Sequence, residues 1–151
     1  MISAAAAFHG AKAAFLNGSR VLTLQRDDLP ALPWPGYHDL PGGGREGDEA
    51  PEACLLRELE EEFGLRLPPG RLRYRQSWPS MNGAALPSWF FAGEITAAEI
   101  AQIRFGEEGQ GWQMMDISRF LSHPRAIPAL QDRLRLALRN YPPPGLMQAR
   151  L

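Results

Sequence analysis

The sequence predicts an α/β domain with helices packed on a mixed β-sheet. Three observations predict it. Short β-prone runs alternate along the chain with helical patterns. Two segments, residues 51–63 and 127–138, repeat apolar side chains at helical spacing. Turn signals fall between these runs rather than inside them. A chain of 151 residues suits one domain, 1–151, with a real core, and 44% hydrophobic with 22% charged residues fits an ordinary globular protein.

Each element has its own local signal. Ala13–Leu16 and Arg20–Gln25 are apolar and β-prone, with Asn17-Gly18 between them as a hairpin turn. Asp27, Asp28, Pro30, Pro33, Pro35 and Gly36 mark residues 27–37 as a loop. His38–Pro41 reads as a short strand leading into Gly42-Gly43-Gly44, a glycine-rich loop. Pro51 suits a first helical turn, Leu55, Leu59 and Phe63 form an apolar stripe, and Gly64 stands where a helix ends on a left-handed residue. Pro68-Pro69-Gly70 is a turn, and Arg71–Trp78 and Ser88–Ile95 read as strands joined through Asn82-Gly83. Ala97–Ile103 fits more than one element type. Gly111–Met115 reads as a strand and Ile117–Leu121 as one or two helical turns. Ile127, Leu130, Leu134 and Leu138 share one face of a terminal helix, and the proline-rich stretch after Tyr141 reads as irregular.

Composition excludes several classes. The alanine-rich start, Met1–Leu16, lacks a basic n-region and is interrupted by His9 and Lys12, so it reads as short strands rather than a leader. No stretch reads as a membrane span. A net charge of -1 gives no electrostatic argument for gripping a long nucleic acid, but leaves a small nucleotide open. A single cysteine, Cys54, forbids an internal disulfide and suits a cytoplasmic protein; it reads as buried filler rather than a nucleophile.

The chemistry concentrates on the first helix. Glu58, Glu61 and Glu62 stand at i, i+3 and i+4 and share a helix face. Three close carboxylates repel one another unless solvent or cations intervene. Clustered hard oxygen donors suit Mg²⁺ or Mn²⁺, and such ions suit phosphate chemistry. A glutamate run alone also describes a plain solvated face, so the surrounding residues decide.

Those residues are Gly43–Leu65, GGREGDEAPEACLLRELEEEFGL. Gly43, Glu49, Arg57, Glu58, Leu59, Glu61, Glu62, Gly64 and Leu65 fill every fixed position of G-x5-E-x7-R-E-U-x-E-E-x-G-U, where U is aliphatic. The stretch resembles the Nudix box, and the chain is similar to MutT-like Nudix hydrolases. The resemblance implies a Nudix-type α/β/α sandwich with the box helix on the sheet. It implies metal binding by Glu58, Glu61 and Glu62, a backbone carbonyl to metal from Gly42 or Gly43, and an Arg57 that holds a neighbouring glutamate. Glu49 matches a mostly structural position, and Leu59 and Leu65 match the positions that seat the helix.

A fourth carboxylate is expected from a later loop. Phe105–Trp112, FGEEGQGW, resembles the glutamate-glycine-glutamine loop of MutT-like members, with Glu108 as the matching residue and Glu107 the fallback. Glu108 is then a metal ligand or the general base, so Glu61, Glu62, Glu108 and Arg57 make up the expected catalytic set. Arg26 ends the second strand, where related proteins often place a phosphate-contacting residue; it reads equally as a surface arginine. Trp34, Tyr37, Trp78, Trp89 and Phe91 fit a base-stacking surface or the core. Ser122–Pro128 holds no asparagine where members acting on oxidised guanine nucleotides carry one.

The implied activity is Mg²⁺- or Mn²⁺-dependent hydrolysis of a diphosphate linkage in a nucleoside diphosphate linked to another moiety X. A non-catalytic nucleotide-binding module and an RNA-end pyrophosphohydrolase are the alternatives, with a diphosphate isomerase disfavoured by the intact box. The expected partner is a small nucleotide-type substrate, and many family members are homodimers.

Overall fold

A computed structural model describes residues 7–81, 83 and 85–141. Asn82 of the expected turn, the first six residues and the stretch 142–151 lie outside them. Seven strands, β1 (Gly10–Asn17), β2 (Arg20–Gln25), β3 (His38–Asp39), β4 (Gly42–Gly44), β5 (Tyr74–Trp78), β6 (Ser88–Glu94) and β7 (Gly111–Asp116), form one mixed sheet. Four helices accompany it: α1 (Pro51–Phe63), α2 (Ala97–Ala101), α3 (Ile117–Ser122) and α4 (Pro128–Asn140). β1 pairs in parallel with β6, and the other pairings are antiparallel.

Alternation along β1 builds two cores. Ala14 and Leu16 face Phe120, Leu130, Leu134 and Leu138 of α3 and α4. Ala13 and Phe15 face Leu55, Leu59 and Phe63 of α1. β6 repeats the division, with Phe90 and Ala92 on one side and Phe91 on the other. Helices therefore cover both faces, giving the expected α/β/α sandwich. α1 ends on Gly64 at φ +68°, whose N–H donates to the Glu60 carbonyl at 2.9 Å.

One departure from the local reading creates the site. β1 and β2 pair only at Leu16–Val21 and Asn17–Arg20, beside their turn. Beyond that they part. β4 then pairs with β1 at Gly10–Lys12, and β3 pairs with β2 at Leu24 and Gln25. The glycine run expected as a loop is therefore a strand. Gly42 holds φ +129°, and a Cβ there would overlap the Ala11 carbonyl of the neighbouring strand.

Smaller corrections have local causes. Asn17 pairs with Arg20, so Gly18 and Ser19 are the central turn residues, with positive φ only at Gly18. Asn17 instead donates its side-chain N–H to the Ile95 carbonyl at 2.9 Å. Arg71 closes a 3₁₀ turn, Pro69–Arg71, and the strand begins at Tyr74. Ala97–Ala101 is helical because Thr96 and Glu99 form a capping box. The terminal helix starts at Pro128, with Ile127 as its cap.

Candidate active site

Where β1 and β2 separate, a cavity of about 490 Å³ opens. It is lined by Glu58 and Glu62 of α1, Gly42–Gly44, Glu108 and Gly109, Lys12 and Asp39 from β1 and β3, and Arg26, which lies one residue past β2 rather than ending it. Asp27, Leu24 and Leu32 complete the wall.

Helical geometry sorts the three box glutamates. Glu58 and Glu62, one turn apart, border the buried stripe of Leu55 and Leu59. Glu61 lies on the other side of Glu58. Its side chain is 57% exposed, against 17% for Glu58, and it does not line the cavity. The shared face expected from spacing is thus divided, with Arg57 beside it. Arg57 Nη1 donates to Glu58 Oε2 at 3.1 Å and to Glu61 Oε2 at 3.2 Å. Its Nε and Nη2 grip both oxygens of Glu49 at 3.1 and 2.9 Å, and Nη2 also donates to the Gly44 carbonyl at 2.8 Å. This fork holds the Glu49 carboxyl below its usual range and pushes the guanidinium up.

Burial acts oppositely on the cavity carboxyls. Desolvation pushes Glu58 up, against the pull of Arg57. Glu62 is pushed to about 8, again mainly by desolvation, although Lys12 and the Gly42 N–H favour its charged form. That N–H donates to Glu62 Oε1 at 3.0 Å. A Cβ at Gly43 would lie 2.6 Å from Glu58 Cδ, so only glycine leaves the Glu58 carboxylate its place. Of the glycine carbonyls, Gly42 accepts from Lys12 Nζ, Gly44 accepts from Arg57, and Gly43 lies 3.6 Å from the Cys54 thiol. Cys54 is buried, and desolvation raises it to about 12, as an inert filler requires.

Glu108 reaches the cavity through a loop pinned at both ends. Arg104 N–H donates to the Phe63 carbonyl and Gly106 N–H to that of Glu62, each at 2.9 Å. Phe105 packs edge-on against Phe63. At the far end, Gln110 N–H donates to the Gln25 carbonyl and Gly109 N–H to Asp27 Oδ2. Glu108 lines the cavity, and Glu107 does not.

Sequence reading missed part of the opposite wall. Lys12 was noticed only as a break in an apolar run, and Asp39 was passed over. Asp39 is 1% exposed; its Oδ2 accepts from Lys12 Nζ at 3.1 Å and from Arg26 Nη1 at 3.0 Å. The one available signal was a lysine inside an otherwise buried strand pattern. The aromatics that fit either a stacking surface or the core do not line the cavity. Trp34 is exposed and tilts against Tyr37, Trp89 stacks with Phe91, and Trp78 lies beneath Arg133.

The residues fit a hard divalent cation by their chemistry. Glu58 and Glu62 are half-buried carboxyls that desolvation pushes up, and glycine backbone lies close against both. Among the described residues, no three histidine, cysteine or carboxylate side chains are already arranged to hold one ion. Arg57, bonded at once to Glu58 and Glu61, keeps that pair bound to a guanidinium.

The fold and this cavity define an α/β/α protein built around an acidic helix that faces a basic wall. The chain belongs to the NUDIX family: the NUDIX domain model matches residues 8–135. An RNA pyrophosphohydrolase of Acidiphilium cryptum is 44% identical over 55 residues, 34% of this chain and 31% of that protein. An 8-oxo-dGTP diphosphatase of Proteus vulgaris is 53% identical over 30 residues, 20% of this chain and 27% of that protein. The matched stretches thus span under a third of these relatives. A bifunctional NMN adenylyltransferase/ADP ribose pyrophosphatase from Francisella tularensis, solved with AMP and a manganese ion, superposes with a TM-score of 0.70 at 20% identity. That match covers 88% of this chain and 41% of the other. Among the described residues, no helix is long and apolar enough to cross a membrane.

Proposed function

We propose that this protein hydrolyses a diphosphate linkage in a nucleoside diphosphate linked to a second moiety, with Mg²⁺ or Mn²⁺ as cofactor. The observation that carries the reading is convergence: Glu58 and Glu62 of the box helix, Glu108 from a loop more than forty residues later, and Arg26 line one cavity. Glu58, Glu61, Glu62 and Glu108 are the proposed metal-binding carboxylates, with the glycine backbone at Gly42–Gly43 beside them. A bound divalent cation supplies charge neutralisation at the phosphate oxygens and makes water a stronger nucleophile.

The chain's own residues do the rest. Arg26 offers guanidinium N–H groups to a diphosphate oxygen. Arg57, held by Glu49, orients Glu58 and Glu61. Ionised Glu108 accepts the proton of the attacking water or completes the cation's oxygen set. A nucleoside monophosphate and the phosphorylated second moiety leave, or pyrophosphate when the substrate is a triphosphate. The test is a screen of nucleoside diphosphate derivatives with Mg²⁺, Mn²⁺ or chelator, with products identified. Turnover that survives chelation, or no turnover of any compound, refutes the reading.

The similarity to an RNA pyrophosphohydrolase favours one second reading, removal of pyrophosphate from an RNA 5′ end. Comparing kcat/KM on triphosphorylated RNA and on free nucleotides separates the two. A preference for RNA of tenfold or more, about 1.4 kcal/mol in transition-state binding, selects the second.

A further inference from the structure

Lys12 and Arg26 stand on the same wall of the cavity, and both bond Asp39. Counting their donors separates them. An ammonium has three N–H bonds. Lys12 directs them to Asp39 Oδ2 at 3.1 Å, the Leu40 carbonyl at 3.2 Å and the Gly42 carbonyl at 3.0 Å. All three are used inside the protein, and the side chain is only 13% exposed. A guanidinium has five N–H bonds. Arg26 directs Nε to the Pro33 carbonyl at 2.9 Å and Nη1 to Asp39 at 3.0 Å. Among the described residues, three of its five donors have no protein acceptor.

The acceptors of Lys12 bracket one peptide. Leu40 and Gly42 carbonyls lie on either side of the Pro41–Gly42 bond, whose N–H donates to Glu62 Oε1 at 3.0 Å. Lys12 also pairs in register with Gly42 across β1 and β4. Gly42, at positive φ, is thus held from the neighbouring strand by Lys12, alongside the Ala13 N–H, which donates to the Pro41 carbonyl at 3.0 Å.

We infer that Lys12 is a positioning residue, which fixes the Pro41–Gly42 peptide so that its N–H orients Glu62, and that the diphosphate is contacted on this wall by Arg26 and not by Lys12. The kinetic part of this inference rests on the proposed hydrolysis; the structural part does not.

Two experiments test it. The first uses metal-free protein and NMR. Lys12→Met should speed exchange of the Gly42 amide about tenfold or more, the loss of about 1.4 kcal/mol of protection. Amides of β6 and α4 should keep their protection and show that the variant is folded. Wild-type protein titrated with inorganic pyrophosphate and Mg²⁺ should shift the Arg26 Nε–H signal and leave the Lys12 ammonium signal in place. The titration needs no variant, so it decides the phosphate question even if Lys12→Met fails to fold. The second experiment is kinetic. Lys12→Met should lower kcat about tenfold with KM within about threefold of wild type, while Arg26→Met should raise KM about tenfold. A rise in KM for Lys12→Met equal to that of Arg26→Met, unchanged Gly42 exchange, or a Lys12 signal that moves with pyrophosphate would each overturn the inference. If no substrate is turned over by wild-type protein, the proposed hydrolysis fails, and Gly42 exchange and the pyrophosphate titration still decide the role of Lys12.

Discussion

The acidic wall of the cavity comes from one turn of one helix, Glu58 to Glu62, steadied by Arg57, which is itself gripped by Glu49 eight residues before it. The basic wall is gathered from Lys12 on β1, Arg26 just past the end of β2 and Asp39 on β3, with both cations around the carboxylate of Asp39. On the acidic wall the functional groups carry burial that disfavours their charge, as the raised Glu58 and Glu62 carboxyls show. On the basic wall the buried carboxylate of Asp39 meets both Lys12 and Arg26. The two walls therefore differ in sign: partly buried carboxyls meet little positive charge on one, while on the other two cations share the one carboxylate of Asp39 and leave a net positive charge.

The largest expected effect breaks the acidic wall itself. Glu62→Gln should lower kcat at least about 100-fold, since it removes a cavity charge with little change in volume. The same substitution should stabilise the metal-free protein at pH 8. The native carboxyl sits near 8, above its ordinary value of 4.5, so between these limits the folded state holds the proton more tightly than the unfolded one. That contribution is fully present below about pH 4.5 and is lost as pH rises through about 8, costing on the order of a few kcal/mol. Denaturant unfolding with chelator at pH 5 and pH 8 should show this loss in wild type and not in Glu62→Gln. Equal pH dependence in the two proteins refutes the assignment.

Glu108 tests whether the acidic wall extends beyond the helix. Glu108→Gln should lower kcat roughly 10- to 10⁴-fold, the range for a lost charge contact or general base. Glu107→Gln should stay within about twofold, because that side chain does not line the cavity. Equal effects in both variants would show that the loop does not select Glu108.

Arg57 sharpens the comparison at a smaller scale. Arg57→Lys keeps the charge but cannot grip Glu49 with two parallel bonds while also reaching Glu58 and Glu61. The expected result is a kcat about tenfold lower with KM little changed. A raised KM at unchanged kcat would instead place Arg57 against the substrate.

The difference between the walls also explains what was legible in the sequence. The acidic wall is local: periodicity gives the stripe Leu55, Leu59 and Phe63, and with it the placement of Glu58 and Glu62 beside the buried face. The α/β class and most strands followed from similar short-range patterns, whereas the sandwich itself was implied by the resemblance of the box. Glu108 could be nominated only through resemblance, since no local rule joins it to α1. Lys12 and Asp39 lie 27 residues apart, and nothing near either predicts that β1 and β2 part beyond Leu16. The strand at Gly42–Gly44 was hidden for the same reason. Glycine propensity argues for a loop, and only the adjoining β1 backbone and the Glu58 carboxylate supply the reason for glycine there.

The smallest effect concerns that glycine pair, one facing each kind of neighbour. A Cβ at Gly43 meets the far end of the Glu58 side chain at 2.6–2.8 Å, and φ there is not positive. Glu58 can swing aside, so Gly43→Ala should cost no more than about 1 kcal/mol, partly offset by the lower entropy of the unfolded chain. The displaced carboxylate should nevertheless weaken Mn²⁺ binding about tenfold, near 1.4 kcal/mol, measured by titration calorimetry. Gly42→Ala provides the contrast. Its Cβ meets the Ala11 backbone at positive φ, where neither partner can yield, so the expected loss is in folding itself. Gly43→Ala with wild-type Mn²⁺ affinity and wild-type stability would mean that the Glu58 carboxylate has room to spare, and that its seat against Gly43 is not what positions it for the cation.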